Sequence, residues 1–282
     1  MKYLIIGSKG QLGSEFERKL TELEKDFVAV DIDAIDISEY HHVIDLFSSV
    51  KPGLVINCAA YNDVDGAESN IESAFKVNAE GTKYLAFASY KFHSFLIHFS
   101  SDYVFDGEKT SGMYIETDKT NPINQYGRSK LAGELNLVNE IEKYLLFRLS
   151  WVYGKGTQNF IYKLKQWAKD KDKLNISTDE ISVPTYTKII VDVVLKSINQ
   201  GIEGLYHLTN SGFASRFDWA KSIRKLSGLN AELTPVQQDF FKLPAKRPKI
   251  SAMSNEKLSS ELNVTIPHWE ESLKEFFNFI KE

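Results

Sequence analysis

Tyr126 and Lys130 stand at Tyr-x-x-x-Lys spacing, the arrangement of a proton-transfer pair. Residues i and i+4 of a helix share one face, so the ammonium can sit beside the phenol or beside a sugar ring beneath it. A free phenol ionises at roughly pH 10, and a neighbouring cation lowers that value and eases proton exchange. Alone, the spacing is too common to carry an assignment. Its companion is Ser100-Ser101-Asp102-Tyr103-Val104-Phe105-Asp106-Gly107, which follows an apolar run and places hydroxyls at the carboxyl end of a strand. A serine there can hydrogen-bond a substrate carbonyl oxygen while Tyr126 donates the proton.

A third signal lies at the N-terminus. Gly7-Ser8-Lys9-Gly10-Gln11-Leu12-Gly13 has G-x-x-G-x-x-G spacing between a strand pattern and an amphipathic helix pattern. Glycines there allow a tight turn and let backbone N–H groups approach a pyrophosphate at the helix N-terminus. The expected cofactor contacts are Gly7, Gly10, Gln11, Leu12 and Gly13, although glycines can also simply punctuate such a turn. Asp31, closing the second strand, can accept from adenosine ribose hydroxyls and would repel a 2′-phosphate, which leans towards NADH. A solvated strand-end acid is the plainer alternative. Asp36-Ile37 could flank the adenine or belong to a helix cap. Ala59-Ala60-Tyr61, after the third strand, would let a cofactor lie close to the backbone, as would any tight turn. Ser100, Tyr126 and Lys130 complete the expected cofactor contacts.

The elements that must hold these residues alternate. Strands are expected near Tyr3–Ile6, Phe27–Val30, Leu54–Asn57, Phe95–Ser100 and Tyr144–Leu149, with helices over Leu12–Leu23, Tyr40–Val50, Ala67–Tyr90 and Tyr126–Glu140. The strands are continuous apolar runs, as in parallel sheets covered on both faces. The expected fold is α/β, a doubly wound parallel Rossmann sheet with a smaller, interwoven C-terminal substrate-binding region. The dinucleotide-binding part spans 1–150, with 187–210 returning to it. The substrate region comprises 151–186 and 211–282, closing over the carboxyl ends of the strands.

The 282 residues, 43% apolar and 26% charged, suit a soluble globular protein. No apolar run is long enough to span a bilayer, so no membrane association is expected. The first residues enter a strand without an export signal, and the single Cys58 agrees with a reducing cytoplasm. Cys58 reads as a packing residue. A formal charge of −4, from 34 basic and 38 acidic side chains, leaves no nucleic-acid footprint. The densest basic cluster, Lys246-Arg247-Pro248-Lys249, could hold one phosphorylated small molecule.

Taken together, the glycine motif, Asn57-Cys58-Ala59-Ala60-Tyr61, Ser-Ser-Asp-Tyr-Val-Phe-Asp-Gly and Tyr126-Gly127-Arg128-Ser129-Lys130-Leu131-Ala132-Gly133-Glu134 resemble the dTDP-4-dehydrorhamnose reductase family. Order and spacing match from Met1 to Gly154 and continue more thinly to Arg247-Pro248-Lys249-Ile250-Ser251. Val64-Asp65-Gly66-Ala67-Glu68 and Leu149-Ser150-Trp151-Val152-Tyr153-Gly154 resemble two further family segments, the first bordering substrate and the second carrying a sugar-packing Trp. The resemblance implies a catalytic set of Ser101, Tyr126 and Lys130, and a sugar site lined by Val64, Asp65, Ser101, Tyr103 and Trp151. It places Arg247 towards the diphosphate or nucleotide. Read without it, Tyr103 and Trp151 can be core aromatics, Asp65 a helix N-cap and Arg247 a surface charge. Asn78 can brace the active site or satisfy backbone groups.

The family usually has Thr at the positions of Ser101 and Asn62; the first change keeps the hydroxyl, the second alters local contacts. Some members bind magnesium at a dimer contact, but that site does not map onto this chain, so no metal is expected. The implied activity is NADPH- or NADH-dependent reduction of a nucleotide-linked 4-keto sugar, with homodimerisation left open. Two other readings stay in view: a nucleotide-sugar 4-epimerase or dehydratase retaining NAD⁺, and a non-catalytic, NAD(P)-binding regulatory subunit.

Overall fold

Strands that are apolar on both faces need cover on both, and this chain supplies it. In the computed structural model, which describes residues 1–280, β1 (Tyr3–Ile6), β2 (Phe27–Val30), β3 (Leu54–Asn57), β4 (Phe95–Ser101), β5 (Tyr144–Leu149) and β6 (Gly204–His207) form one sheet. Its order is β2-β1-β3-β4-β5-β6 and every pairing is parallel. Leu4 and Ile6 of β1 face a layer that holds Val43 and Phe47 of α2 (Tyr40–Val50), Leu85 of α3 (Thr82–Lys91) and Leu137 of α4 (Gln125–Glu140). Tyr3 and Ile5 face the other way, onto Phe16 and Leu20 of α1 (Gln11–Glu22). The strand order reverses between β1 and β3, so a crevice opens there at the carboxyl ends of the strands, the usual ligand position in such sheets.

After β5 the chain builds small elements over that crevice. Val152–Tyr153 pairs with Thr185–Tyr186, Lys173–Ser177 with Glu232–Val236, and Ile181–Ser182 with Ala214–Ser215. Helices α5 (Phe160–Asp170), α7 (Arg216–Ser227), α8 (Glu256–Leu262) and α9 (Trp269–Phe279) surround them. Between α5 and α7, α6 (Thr187–Gln200) packs on α1, and β6 then adds to β5 as the sheet's last strand. Among the described residues no helix is long and apolar enough to cross a membrane.

The single helix expected over Ala67–Tyr90 is instead broken. Short turns at Gly66–Ser69 and Ile71–Phe75 lead into a π-helical stretch, Lys76–Gly81, before α3 begins. Asn78 explains the widened turn. Its amide donates to Tyr61 O at 3.0 Å and to Ser129 Oγ at 2.9 Å, and its Oδ1 accepts from Tyr61 N at 2.8 Å. Asn78 therefore ties the loop after β3 to α4 and also satisfies backbone groups. Wide turns of this kind often sit beside functional sites.

Candidate active site

The chain leaves β1 through Gly7 in a left-handed conformation, φ +79°. A Cβ there would lie 2.6 Å from Ala59 N, and one on Gly13 would collide with the Gly7 carbonyl oxygen. The turn is therefore pressed against the end of β3, closer than any side chain permits. Gly10 caps α1 without a side-chain bond, which leaves the helix's first N–H groups available to an anion.

Gly10, Gln11, Leu12 and Gly13 line one wall of a cavity of about 250 Å³, with Ala59 and Ala60 opposite and Ser100 at the end of β4. Ser100 Oγ is buried there without a protein partner. An uncapped helix start, a backbone cradle and an orphaned hydroxyl fit a nicotinamide dinucleotide, its pyrophosphate at α1. Cys58 lines the same cavity, with burial pushing its thiol well up, as befits an inert packing residue.

Lys130 and Tyr126 close the far wall. Asn124 fixes their helix at both ends of its own amide: Oδ1 accepts from Gly127 N at 2.7 Å, and Nδ2 donates to Lys246 O at 2.7 Å. A Cβ on Gly127 would strike the Tyr103 carbonyl oxygen, so glycine lets the first turn of α4 rest on the end of β4. Lys130 Nζ donates to Phe99 O at 2.7 Å. Burial pushes its ammonium down to about 8, against the upward pull of Glu134, itself forked to Arg148 at 3.0 and 2.7 Å.

Tyr126 departs from the expected pattern. Burial pushes its phenol up to about 12; the Ser101 hydroxyl pulls the other way and the Asp102 charge adds to the rise. The lysine does not offset that desolvation. The phenol thus stays protonated at neutral pH.

A second cavity, about 780 Å³, opens on the other side, and Ser101, Tyr126 and Trp151 line both. Val64, Asp65, Tyr103 and Arg247 all line the larger one. Tyr103 stands edge-on to Tyr126, centroids 5.8 Å apart. Asp65 stands at the N-cap position of Gly66–Ser69, but its side chain makes no cap bond. It takes a fork from Arg247, Nη1–Oδ1 3.1 Å and Nη2–Oδ2 2.6 Å, and a bond from Ala245 N at 3.1 Å. Burial raises this carboxyl, but the guanidinium and the backbone bond outweigh it and hold it below its ordinary value. Arg247 is therefore neither a free surface charge nor an unpaired phosphate ligand.

Trp151 sits at φ +39°, unusual for so bulky a side chain. Arg216 lies 3.6 Å over its ring and 4.9 Å over that of Phe160, while Glu180 grips the same guanidinium at 2.6 Å.

Five expected residues lie away from both cavity walls: Gly7, which shapes the turn behind them, and Asp31, Asp36, Ile37 and Tyr61. Asp31 uses its two oxygens on Lys9 N at 2.7 Å and Ile32 N at 2.8 Å, holding the glycine turn. Asp36 turns the chain through Ser38, and Ile37 is buried beneath α2 and α3. Tyr61 packs with Tyr103 and Tyr126. Sequence reasoning passed over Asp102, Glu180 and Arg216. Asp102 was visible inside its motif as a carboxylate between reacting hydroxyls, whereas nothing near Arg216 or Glu180 in sequence marks them.

A parallel doubly wound sheet whose glycine turn faces a Ser–Tyr–Lys set defines an extended short-chain dehydrogenase/reductase. Within that class the chain belongs to the family described as RmlD substrate binding domain, which matches residues 1–281. It is 34% identical to a dTDP-4-dehydrorhamnose reductase of Burkholderia thailandensis, over 95% of each chain. A solved dTDP-4-dehydrorhamnose reductase of Clostridium acetobutylicum superposes with a TM-score of 0.96 at 37% identity, covering all of both chains. Another, from Bacillus anthracis in complex with NADP, gives 0.94 at 33%, covering 100% of this chain and 99% of that one.

Proposed function

We propose that this protein reduces the 4-keto group of dTDP-4-dehydro-6-deoxy-L-mannose (dTDP-4-dehydro-L-rhamnose) to give dTDP-L-rhamnose, with NADPH or NADH as reductant. One observation carries the reading: the crevice under the glycine turn and a larger cavity meet at Ser101 and Tyr126. The relatives' reductase activity and the NADP held by one of them support it. The chemistry supplied by the bound reduced nicotinamide is a hydride for the sugar's C4.

Tyr126 gives its proton to the oxygen that becomes the alkoxide, and burial keeps its phenol protonated until then. Ser101 polarises the same oxygen. Lys130, a buried cation one turn along, would hold the nicotinamide ribose and favour the tyrosinate left after transfer by its charge. Val64, Asp65, Tyr103 and Trp151 shape the sugar site. Arg247, held by Asp65, faces the nucleotide side.

Residues 1–150 with 187–210 serve as the dinucleotide-binding part, and 151–186 with 211–282 as the substrate region. The lone Cys58 and the nucleotide-sugar chemistry support a cytoplasmic setting. Tyr126→Phe should lower turnover by about 10²–10⁴-fold, the usual worth of a positioned acid, and leave NADPH affinity within about twofold. Near-normal turnover in that variant would contradict the role of Tyr126. Stoichiometric nicotinamide retained through purification, with turnover needing no added reductant, would favour an epimerase or dehydratase.

A further inference from the structure

Three serine hydroxyls converge on Asp102. Ser101 Oγ donates to Oδ1 at 3.1 Å; Ser182 and Ser251 donate to Oδ2 at 2.8 and 2.6 Å. An ionised carboxylate only accepts, and a serine has one hydrogen to give. Ser101 also accepts from Tyr103 N at 3.1 Å. In this arrangement its single hydrogen points at Asp102, while reduction of a carbonyl asks that same hydrogen to point at the substrate oxygen. A protonated Asp102 resolves the conflict, because its own O–H then donates within the cluster and the Ser101 hydrogen is free to turn.

The surroundings permit that protonation. Asp102 is 2% exposed, and among the described residues no Lys or Arg stands within ion-pair distance of it. The charged and titratable groups facing this part of the site are Arg216 from α7, Glu180 ahead of Ile181–Ser182, Tyr103 beside it, Tyr126 and Lys130 from α4, and Arg247 from the C-terminal loop. Burial pushes the carboxyl up to about 6, against the downward pull of the three serines and Arg216.

We propose that Asp102 is a positioning residue that sets the hydrogen-bond polarity of Ser101. Ionised, it holds the serine hydrogen away from the substrate; protonated, it releases that hydrogen to the reacting carbonyl oxygen. The proton on Asp102 comes from water before substrate binds and is not consumed, and Tyr126 remains the acid that protonates the product. The inference rests on the reductase reading above.

The test is the pH profile of kcat from pH 5 to 7, below the range in which Lys130 loses its proton, for the wild type, Asp102→Asn, and Ser182→Ala/Ser251→Ala together. Wild-type kcat should fall about tenfold per pH unit above the ionisation of Asp102. Asp102→Asn, which cannot ionise, should be flat over that range. The double serine variant loses two donors to the ionised form, so its decline should move to higher pH. The KM for NADPH should stay within about twofold throughout, as Asp102 acts on the carbonyl step only. A wild-type decline surviving in Asp102→Asn, or an unmoved decline in the double variant, would overturn the proposal.

The infrared C=O stretch of protonated Asp102 reads the same titration without turnover. Its midpoint should rise in the double variant and in Ser101→Ala, and an unmoved midpoint in Ser101→Ala would refute the coupling. If Asp102→Asn fails to fold, the serine variants still decide. A wild type that never oxidises NADPH would defeat the reductase reading and leave the infrared result to judge the Asp102–Ser101 link by itself.

Discussion

The two cavities that meet at Tyr126 are built by different means. The smaller is mostly backbone and short side chains from neighbouring strand ends: a glycine turn, two alanines and a serine. The larger is walled by long side chains brought from far apart, such as Asp65 to Arg247 and Trp151 to Arg216 and Glu180. A backbone cradle tolerates no added atom, whereas a side-chain wall can be retuned by exchanging partners. The first is suited to a constant ligand and the second to a specific one.

The sharpest way to break this contrast is Gly13→Ala. Its new Cβ meets backbone that cannot yield, so NADPH affinity should drop about 100-fold, or ~3 kcal/mol. Binding of dTDP, followed by calorimetry, should barely change. An equal loss of both ligands would mean that the cavities do not act separately.

Asp65→Ala works in the opposite direction. It strands a largely buried Arg247, and breaking such a pair costs more than the pair is worth. The KM for the sugar nucleotide should rise roughly tenfold with NADPH affinity unaltered. Arg216→Lys keeps the charge but loses the planar face over Trp151. A loss of about three- to tenfold in kcat/KM is expected from the ~1 kcal/mol or so such contacts contribute, with a change in tryptophan emission. Unchanged emission would remove Arg216 from the account of Trp151.

The smallest effect is on stability. In the folded protein Asp102 is raised from 3.8 to about 6, so the native state holds a proton that the unfolded chain releases between those values. Its contribution is complete below 3.8 and is lost as pH rises through 6. Tm of the wild type relative to Asp102→Asn should therefore decline over that window, and a constant difference would contradict the raised carboxyl.

Legibility in the sequence follows the same divide. The strand ends at Ile6, Val30 and Asn57 and the glycine turn were readable, because apolar runs and glycine spacing are local signals. Ser101, Tyr126 and Lys130 were readable as a set for the same reason. Asp31 shows where local signals stop: its place at a strand end was clear, but that its oxygens turn back onto the Lys9 and Ile32 N–H groups was not. The break before α3 hid behind a helical pattern, since the Asn78 bonds to Tyr61 and Ser129 that widen it are tertiary. The raised Tyr126 phenol was missed because i,i+4 spacing reveals a neighbour and says nothing of burial. Arg216 and Glu180 reach the site only through the small strands after β5, whose pairing partners lie some thirty or more residues apart.

The central claim meets its most direct test in nicotinamide absorbance, followed as purified protein is mixed with dTDP-4-dehydro-6-deoxy-L-mannose made in situ, NADPH and NADH side by side. The account predicts oxidation that requires the sugar nucleotide and vanishes in Tyr126→Phe. Folded protein that binds either cofactor yet oxidises neither would contradict it.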